Sequence, residues 1–421
     1  MIPASGWKRI LSVLALLGAL AAAAQEKLDD RRQIFREIDR GLNELAAISG
    51  LKAKKSIRYD LITRDKVNEF LKDRVKETVK PEQLRAEEMT LKKIGFVPSD
   101  FNLEQSTVDL LTEQAAAFYD YHKKKLFLTD WASSGMQEAA LVHELAHALA
   151  DQHFRLERYI KQGGASDDSE LARMAVMEGQ ATWLMTEAMA RRVNQSVADN
   201  PGLLEAMSGS AEGSSQFPVF NSVPLYLRET LVFPYTDGAR FQNAVYARMG
   251  KAGFSEVFRN PPETTQHILH PATYFDRLAP AKPDFPRISP GKGYKDLAEG
   301  MLGELDHAIL IRQFGTRSQA DSLAPHWRGG RYWLIEDKSK GRVILRYVSE
   351  WDSPRIAREF FRFYPVVLRK KWKKMEVTGE SEGMLSGIGD DGHFLVRLDG
   401  NRVSSIEGLS SPDQAKAAGV R

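Results

Sequence analysis

The chain has 421 residues, 43% hydrophobic and 27% charged, which is the make-up of a globular protein with room for two or three cores. Lys plus Arg number 59 against 56 for Asp plus Glu, and a net charge of +3 gives no case for a nucleic-acid partner. There is no cysteine, which excludes disulfides, thiolate metal ligands and a lipidated-cysteine anchor.

Lys8 and Arg9 precede the apolar run ILSVLALLGALAAAA, and Ala22-Ala23-Ala24 place small residues before Gln25. That is the layout of a secretory signal peptide over residues 1–24. The run is about fifteen residues, short of the ~20 that a spanning helix needs, so cleavage is expected. No later segment reads as transmembrane. The mature chain is therefore expected to be exported and soluble, in the periplasm or outside the cell, with no membrane anchor.

Residues 25–55 form an N-terminal segment whose Leu28–Leu51 stretch is charged and helical in pattern. SIRYDLI (Ser56–Ile62) alternates Ile57, Tyr59 and Leu61 and predicts a strand. Thr63 is placed to cap a helix carrying Val67, Phe70, Leu71 and Val75, and a second helix is predicted from Pro81 to about Ile94. FYDYHKKKLFL (Phe118–Leu128) predicts a strand, a turn near His122–Lys124 and a second strand. Helices are predicted from about Gly135 to His153 and from about Ser169 to Val193, followed by a long loop rich in Gly, Ser and Asn before Val223. Tyr226 to about Phe258 is helical in pattern. HPATYFDRLAPAKPDFPRISP (His270–Pro290) holds five prolines and marks the end of a first domain over residues 56–290. A C-terminal module over 291–421 follows: a helical stretch Leu297–Leu323, strands at Arg331–Glu336 and Arg342–Val348, a helix from Ser353 to Phe363, then short strands. The fold class is α+β.

The chemistry is concentrated in LVHELAHALADQHF (Leu141–Phe154). On a helix turning about 100° per residue, His143 and His147 come to within ~40° of each other, one turn apart, so both imidazoles can reach one metal ion. Glu144 stands beside them, placed to act as a general base on a metal-activated water. Zinc suits this work, since it polarises a carbonyl and lowers the pKa of water. The surrounding helix is apolar nearly all round and should be buried, where two histidines and a glutamate need polar partners.

The third ligand is open between two positions. His153 lies six residues after His147, the spacing of HExxHxxGxxH, but that arrangement turns sharply at a glycine and here the position is Ala150. On a continuous helix six residues rotate about 240° and rise about 9 Å, which turns His153 away. Glu178, in ARMAVMEGQATWLM, is the stronger candidate. Ala175, Gly179, Ala181 and Thr182 surround it, and with the alanines of HELAH they would let the two helices approach. Glu187 ranks below it, and Asp151 could accept the His147 ring N–H and orient it.

HELAHALADQHF followed by AVMEGQAT resembles the zincin metallopeptidases of the gluzincin type, with HExxH and a downstream Glu. It is also similar to an uncharacterised family of exported bacterial metallopeptidase-like proteins. The specific match is Leu141–Thr182. Weaker similarity extends through FYDYHKKKLFL, LVFPYTDG, TTQHILHPATYF and WRGGRYWLIE. Relatives often read FYDP where this chain has Phe118-Tyr119-Asp120-Tyr121, so the hairpin turn is expected to differ. The resemblance implies a zincin-like domain with a small sheet whose edge strand, Tyr119–His122 or Lys124–Leu128, pairs with extended substrate. It also implies a hydrogen-bond donor to the transition state, for which Tyr119, His267, His270 and Tyr274 are candidates.

The expected function is thus an exported zinc metallopeptidase acting on peptide or protein substrates, with one Zn2+ per chain held by His143, His147 and Glu178, and Glu144 as base. The rivals are a zincin that binds without catalysis and a zinc hydrolase or amidase acting on cell-wall or other non-protein bonds.

Overall fold

A computed structural model describes residues 30–63, 80–129, 134–163, 166–208, 217–285, 293–338 and 341–414, with residues 15–16, 65–66 and 69. The leader expectation falls almost wholly outside the described residues. So do Val67, Phe70, Leu71 and Val75 of the helix predicted after Thr63.

A two-residue strand β1 (Ala15–Leu16) is followed by helix α1 (Asp30–Ser49), strand β2 (Arg58–Ile62) and helices α2 (Pro81–Ile94) and α3 (Leu103–Gln114). The hairpin β3 (Ala115–Asp120) and β4 (Lys125–Thr129) comes next. The small sheet has the order β1-β3-β4-β2, with β3 and β4 antiparallel and β2 parallel to β4. The hairpin turns where expected. Asp120 Oδ1 accepts the backbone N–H groups of His122 and Lys123 at 2.9 and 3.0 Å, and Lys124 takes a left-handed conformation at φ 51°. Cross-strand stacking of Phe118 on Phe127, 4.9 Å between centroids, pins the register.

Helix α4 (Ser134–Phe154) carries HELAH, and every residue from 140 to 151 is buried. It packs on α1, on β3 and on the long helix α6 (Asp167–Arg191), to which the short helix α5 (Leu156–Lys161) leads. Ser166 caps α6, its Oγ accepting the Ser169 N–H. The stretch after α6 contains two short helices, α7 (Gly202–Ser208) and α8 (Pro218–Ser222), in place of a continuous loop; residues 209–216 lie outside the description. Helix α9 (Leu225–Met249) ends at Gly250, whose φ of 58° breaks the run before α10 (Gly253–Arg259). Short helices α11 (Thr265–Leu269) and α12 (Pro271–Phe275) follow.

The C-terminal part departs from expectation at its start. Residues 294–301 are a strand, β5 (Tyr294–Met301), and not the beginning of a helix. The helix-favouring residues of YKDLAEGM are overridden by pairing with β6 (Trp327–Asp337), which places Leu297 and Ala298 in the core. Helices α13 (Glu304–Phe314) and α14 (Arg317–Leu323) lie between these strands. Strand β7 (Val343–Trp351), helix α15 (Pro354–Lys371) and strands β8 (Met375–Ser381), β9 (Met384–Gly389), β10 (Gly392–Asp399) and β11 (Arg402–Leu409) complete the chain. They form a seven-stranded antiparallel sheet ordered β5-β6-β7-β11-β10-β9-β8, with α15 packed on its inner strands.

The molecule is therefore α+β, with two sheets among the described residues. One buried core runs from Leu45 and Leu145 through Trp183 and Phe254 to Trp327, Trp351 and Phe360, so the segment from residue 291 onward shares it. Among the described residues no helix is long and apolar enough to cross a membrane.

Candidate metal centre

The i, i+4 spacing on α4 brings the His143 and His147 rings edge to face, 4.7 Å between centroids. Glu178 on α6 reaches across the helix–helix gap. Its Oε2 lies 3.2 Å from His143 Nε2 and 3.0 Å from His147 Nε2, and the two Nε2 atoms are 3.0 Å apart. Three ligand atoms thus form a near-equilateral triangle. An ion bound tetrahedrally at about 2.0–2.1 Å would set ligand atoms about 3.3 Å apart, so the donor set and its spacing fit a zinc-sized ion with a fourth position left over. His143, Glu144, His147 and Glu178 are all buried. Ligand atoms of His143, Glu144 and His147 also lie within 4.8 Å of one another.

Glu144 differs from Glu178 in its partners. Its Oε2 accepts the Tyr119 backbone N–H of β3 at 2.6 Å, while its Oε1 is buried and has no hydrogen-bond partner. Burial pushes the Glu144 carboxyl up to about 8, with the His147 charge opposing. Burial would raise Glu178 too. There the His147 charge and hydrogen bonds from His143 and His147 win, and the carboxyl falls to about 2. His147 is pushed down by burial but raised overall to about 9, chiefly by Glu178, whereas burial lowers His143.

Why Glu178 can come so close is visible at the next residue. A Cβ on Gly179 would sit 2.1 Å from the Gly238 carbonyl carbon, and one on Gly238 would sit 2.3 Å from the Ala175 carbonyl oxygen. The small residues around Glu178 therefore admit the backbone of α9, not chiefly that of α4 as the sequence reading expects. The same crossing brings in Tyr235, three residues before Gly238. Its half-buried ring stacks 6.0 Å from the His143 ring, 28° off parallel. Sequence reasoning passes over Tyr235. The available signal is Pro234 inside an otherwise regular helix with Gly238 one turn on, a local rule broken twice within LVFPYTDG.

The other candidates are placed elsewhere. His153 Nε2 pairs with the Lys52 carbonyl at 2.9 Å, off the metal-facing side of α4. Asp151, one turn after His147 on α4, bonds to groups other than the His147 ring. Its Oδ2 accepts from Tyr119 Oη at 3.0 Å and from Lys124 Nζ at 2.6 Å, and its Oδ1 accepts the Leu156 N–H that starts α5. Tyr119 is thus engaged through both its N–H and its hydroxyl. Glu187 is buried and holds the start of the loop after α6, accepting from Val197 N and pairing with Arg191. His267 Nε2 meets the Leu278 carbonyl, His270 pairs with Glu304, and Tyr274 donates to the Asn260 carbonyl. None of these three is bonded to a residue of the centre.

Residues 239–419 match a family model described as "Domain of unknown function (DUF8575)". The match covers less than half of the chain, begins within α9, and leaves out His143, Glu144, His147, Glu178 and Tyr235. No curated protein matches the chain. A solved structure from Chloroflexus aurantiacus, described as "a putative hydrolase with a novel fold", is similar at a TM-score of 0.35 and 16% identity, covering 65% of this chain and 94% of that one.

Proposed function

We propose that the protein is a zinc-dependent metallopeptidase of the zincin type, exported, with His143, His147 and Glu178 as metal ligands and Glu144 as general base. The observation that carries this reading is the triangle of two Nε2 atoms and one Oε2 atom at 3.0–3.2 Å, with a carboxylate oxygen of Glu144 within 4.8 Å of the histidine ligand atoms. When bound, zinc supplies polarisation of a substrate carbonyl and a lowered pKa for water, and as a dication it keeps the neighbouring carboxylates ionised.

The chain's own groups do the remaining work. The Tyr119 N–H clamps Oε2 of Glu144 and leaves the buried Oε1 without a hydrogen-bond partner, available as a proton acceptor. In the ionised form that the dication would favour, burial keeps that oxygen a stronger base than an exposed carboxylate, suited to taking a proton from attacking water and passing it to the leaving amine. Glu178, which the His147 charge holds acidic at the centre, is ionised and so available as a ligand, and it does not compete for that proton. Strand β3 supports a peptide substrate. Its edge opposite β4 pairs antiparallel with Ala15–Leu16, in the way that an extended substrate segment would add to it.

Two measurements test the reading. Metal analysis of the purified full chain should give about one zinc per molecule, lost in Glu178→Ala and kept in His153→Ala. Cleavage of a peptide library should disappear in Glu144→Gln with zinc retained. Unchanged cleavage by Glu144→Gln would sink the mechanism, and zinc binding without cleavage of any peptide would favour a hydrolase of other bonds.

A further inference from the structure

Beyond the metal centre, at the far end of the HELAH helix, lies a cavity of ≈ 520 Å³. Lys54, His153, Arg155, Arg158 and Arg259 line it, and no carboxylate does. Several arginines elsewhere pair with a carboxylate, as in Arg85–Glu336, Arg240–Glu205 and Arg331–Glu299. Here the guanidinium groups of Arg155, Arg158 and Arg259 have no acidic partner among the described residues. The acids closest in sequence are already taken: Glu157 by Lys161 and His122, Glu256 by Arg277. Three exposed arginines from two separate elements around one concavity, with no carboxylate among its lining residues, make a positive local field that attracts an anion.

Two further features bear on the ligand. Arg155 holds a left-handed backbone at φ 52°, a conformation that a residue with a Cβ adopts at a cost, and this turn between α4 and α5 is what sends its side chain to the cavity rim. The wall also contains Phe154 and Phe258, stacked at 4.4 Å and 6°. Planar guanidinium forks match phosphate oxygens in pairs, and an aromatic wall offers an apolar face to whatever carries the phosphate. The volume lies within the range of small-molecule sites.

We infer that this cavity binds the phosphate group of a small organic phosphate, held by Arg155, Arg158 and Arg259 against the Phe154–Phe258 wall. The inference is independent of the metallopeptidase reading, because the site uses none of His143, Glu144, His147 or Glu178.

Titration calorimetry of the full chain with inorganic phosphate and with phenyl phosphate, at fixed ionic strength, tests it. One saturable site is expected. Arg158→Gln and Arg259→Gln should each weaken it by about ten-fold, the loss of one charge-assisted contact. Arg355→Gln, which removes an exposed arginine paired with Glu359 on α15, should leave it unchanged. All three positions are exposed, and circular dichroism will check that each variant is folded. Saturable binding that survives both pocket substitutions would place the anion at the metal centre or elsewhere and overturn the proposal. Absence of saturable binding by either phosphate would overturn it as well.

Discussion

Glu144 and Glu178 are buried glutamates beside the same two histidines, yet their surroundings drive them in opposite directions, toward about 8 and about 2. Two carboxyls separated in this way can divide acid–base work from ligation. Tyr235 extends the division of labour. Its half-buried ring lies 6.0 Å from the His143 ring, and on the proposed function its phenol is the candidate donor to an oxyanion developing on the substrate. On the proposed function, Tyr235→Phe should lower kcat by roughly 10- to 1000-fold, the range found when one oxyanion donor is removed, with KM and zinc content little changed. A variant with wild-type kcat would assign the ring a packing role only. Of the four candidates drawn from sequence for this task, His267, His270 and Tyr274 are bonded away from the centre and the Tyr119 hydroxyl is held by Asp151, and the reason is physical. Spacing along one helix fixes His143, Glu144 and His147 relative to one another, but a donor brought in by a third helix depends on a crossing that no local pattern encodes.

Helices were legible because their signals are local. HELAH's helix reads as buried all round and is so, α2 runs from Pro81 to Ile94 as its N-terminal proline and apolar spacing predict, and the hairpin turns at its Asp120-anchored loop. Strand β5 was not legible, because its sequence favours a helix and only its partner β6 makes it a strand. Helix α3 went unseen in LEQSTVDLLTEQ, a short element with weak periodicity. At this scale the Gly179–Gly238 crossing carries a prediction whose sign separates two effects. Gly238 is in the middle of a helix, and propensity alone makes Gly238→Ala stabilising by about 1 kcal/mol. The added Cβ, however, would meet the Ala175 carbonyl oxygen at 2.3 Å and the Gly179 Cα at 3.1 Å, both backbone atoms that cannot turn aside. The helices must separate, and overpacking of this kind costs about 1–3 kcal/mol or more. Urea denaturation should therefore show net destabilisation and, on the proposed function, weaker zinc retention as Glu178 draws back. A stabilised variant would mean that the crossing is looser than these distances.

Across the whole molecule, the large sheet is tied to the N-terminal half through helix α2. Arg85 pairs with Glu336, Lys371 Nζ donates to the Lys93 carbonyl, and Gln313 donates to the Gly95 carbonyl. Lys93 Nζ itself meets Asp391 Oδ1 at 2.5 Å in the turn between β9 and β10, and Asp391 Oδ2 accepts from Trp372 Nε1 at 3.0 Å. Burial alone would raise the Asp391 carboxyl. The Lys93 charge and hydrogen bond and the Trp372 N–H outweigh it and hold the carboxyl below its ordinary value. A depressed carboxylate contributes stability that is fully present above the unfolded pKa, about 3.9, and is lost as pH falls through the folded value. Asp391→Asn should thus cost roughly 1–2 kcal/mol at pH 7, the scale of a hydrogen bond to a charged group in a partly buried pair. The gap between variant and wild type should hold down to about pH 5 and then close on further acidification, because the wild-type carboxyl is itself protonated there. Urea titrations followed by tryptophan fluorescence at a series of pH values would trace that closing gap. Lys93→Met should give a gap closing over the same window, since it removes the other half of the pair. A gap that stayed constant through the acid range would show that Asp391 joins the two halves by packing and not by charge.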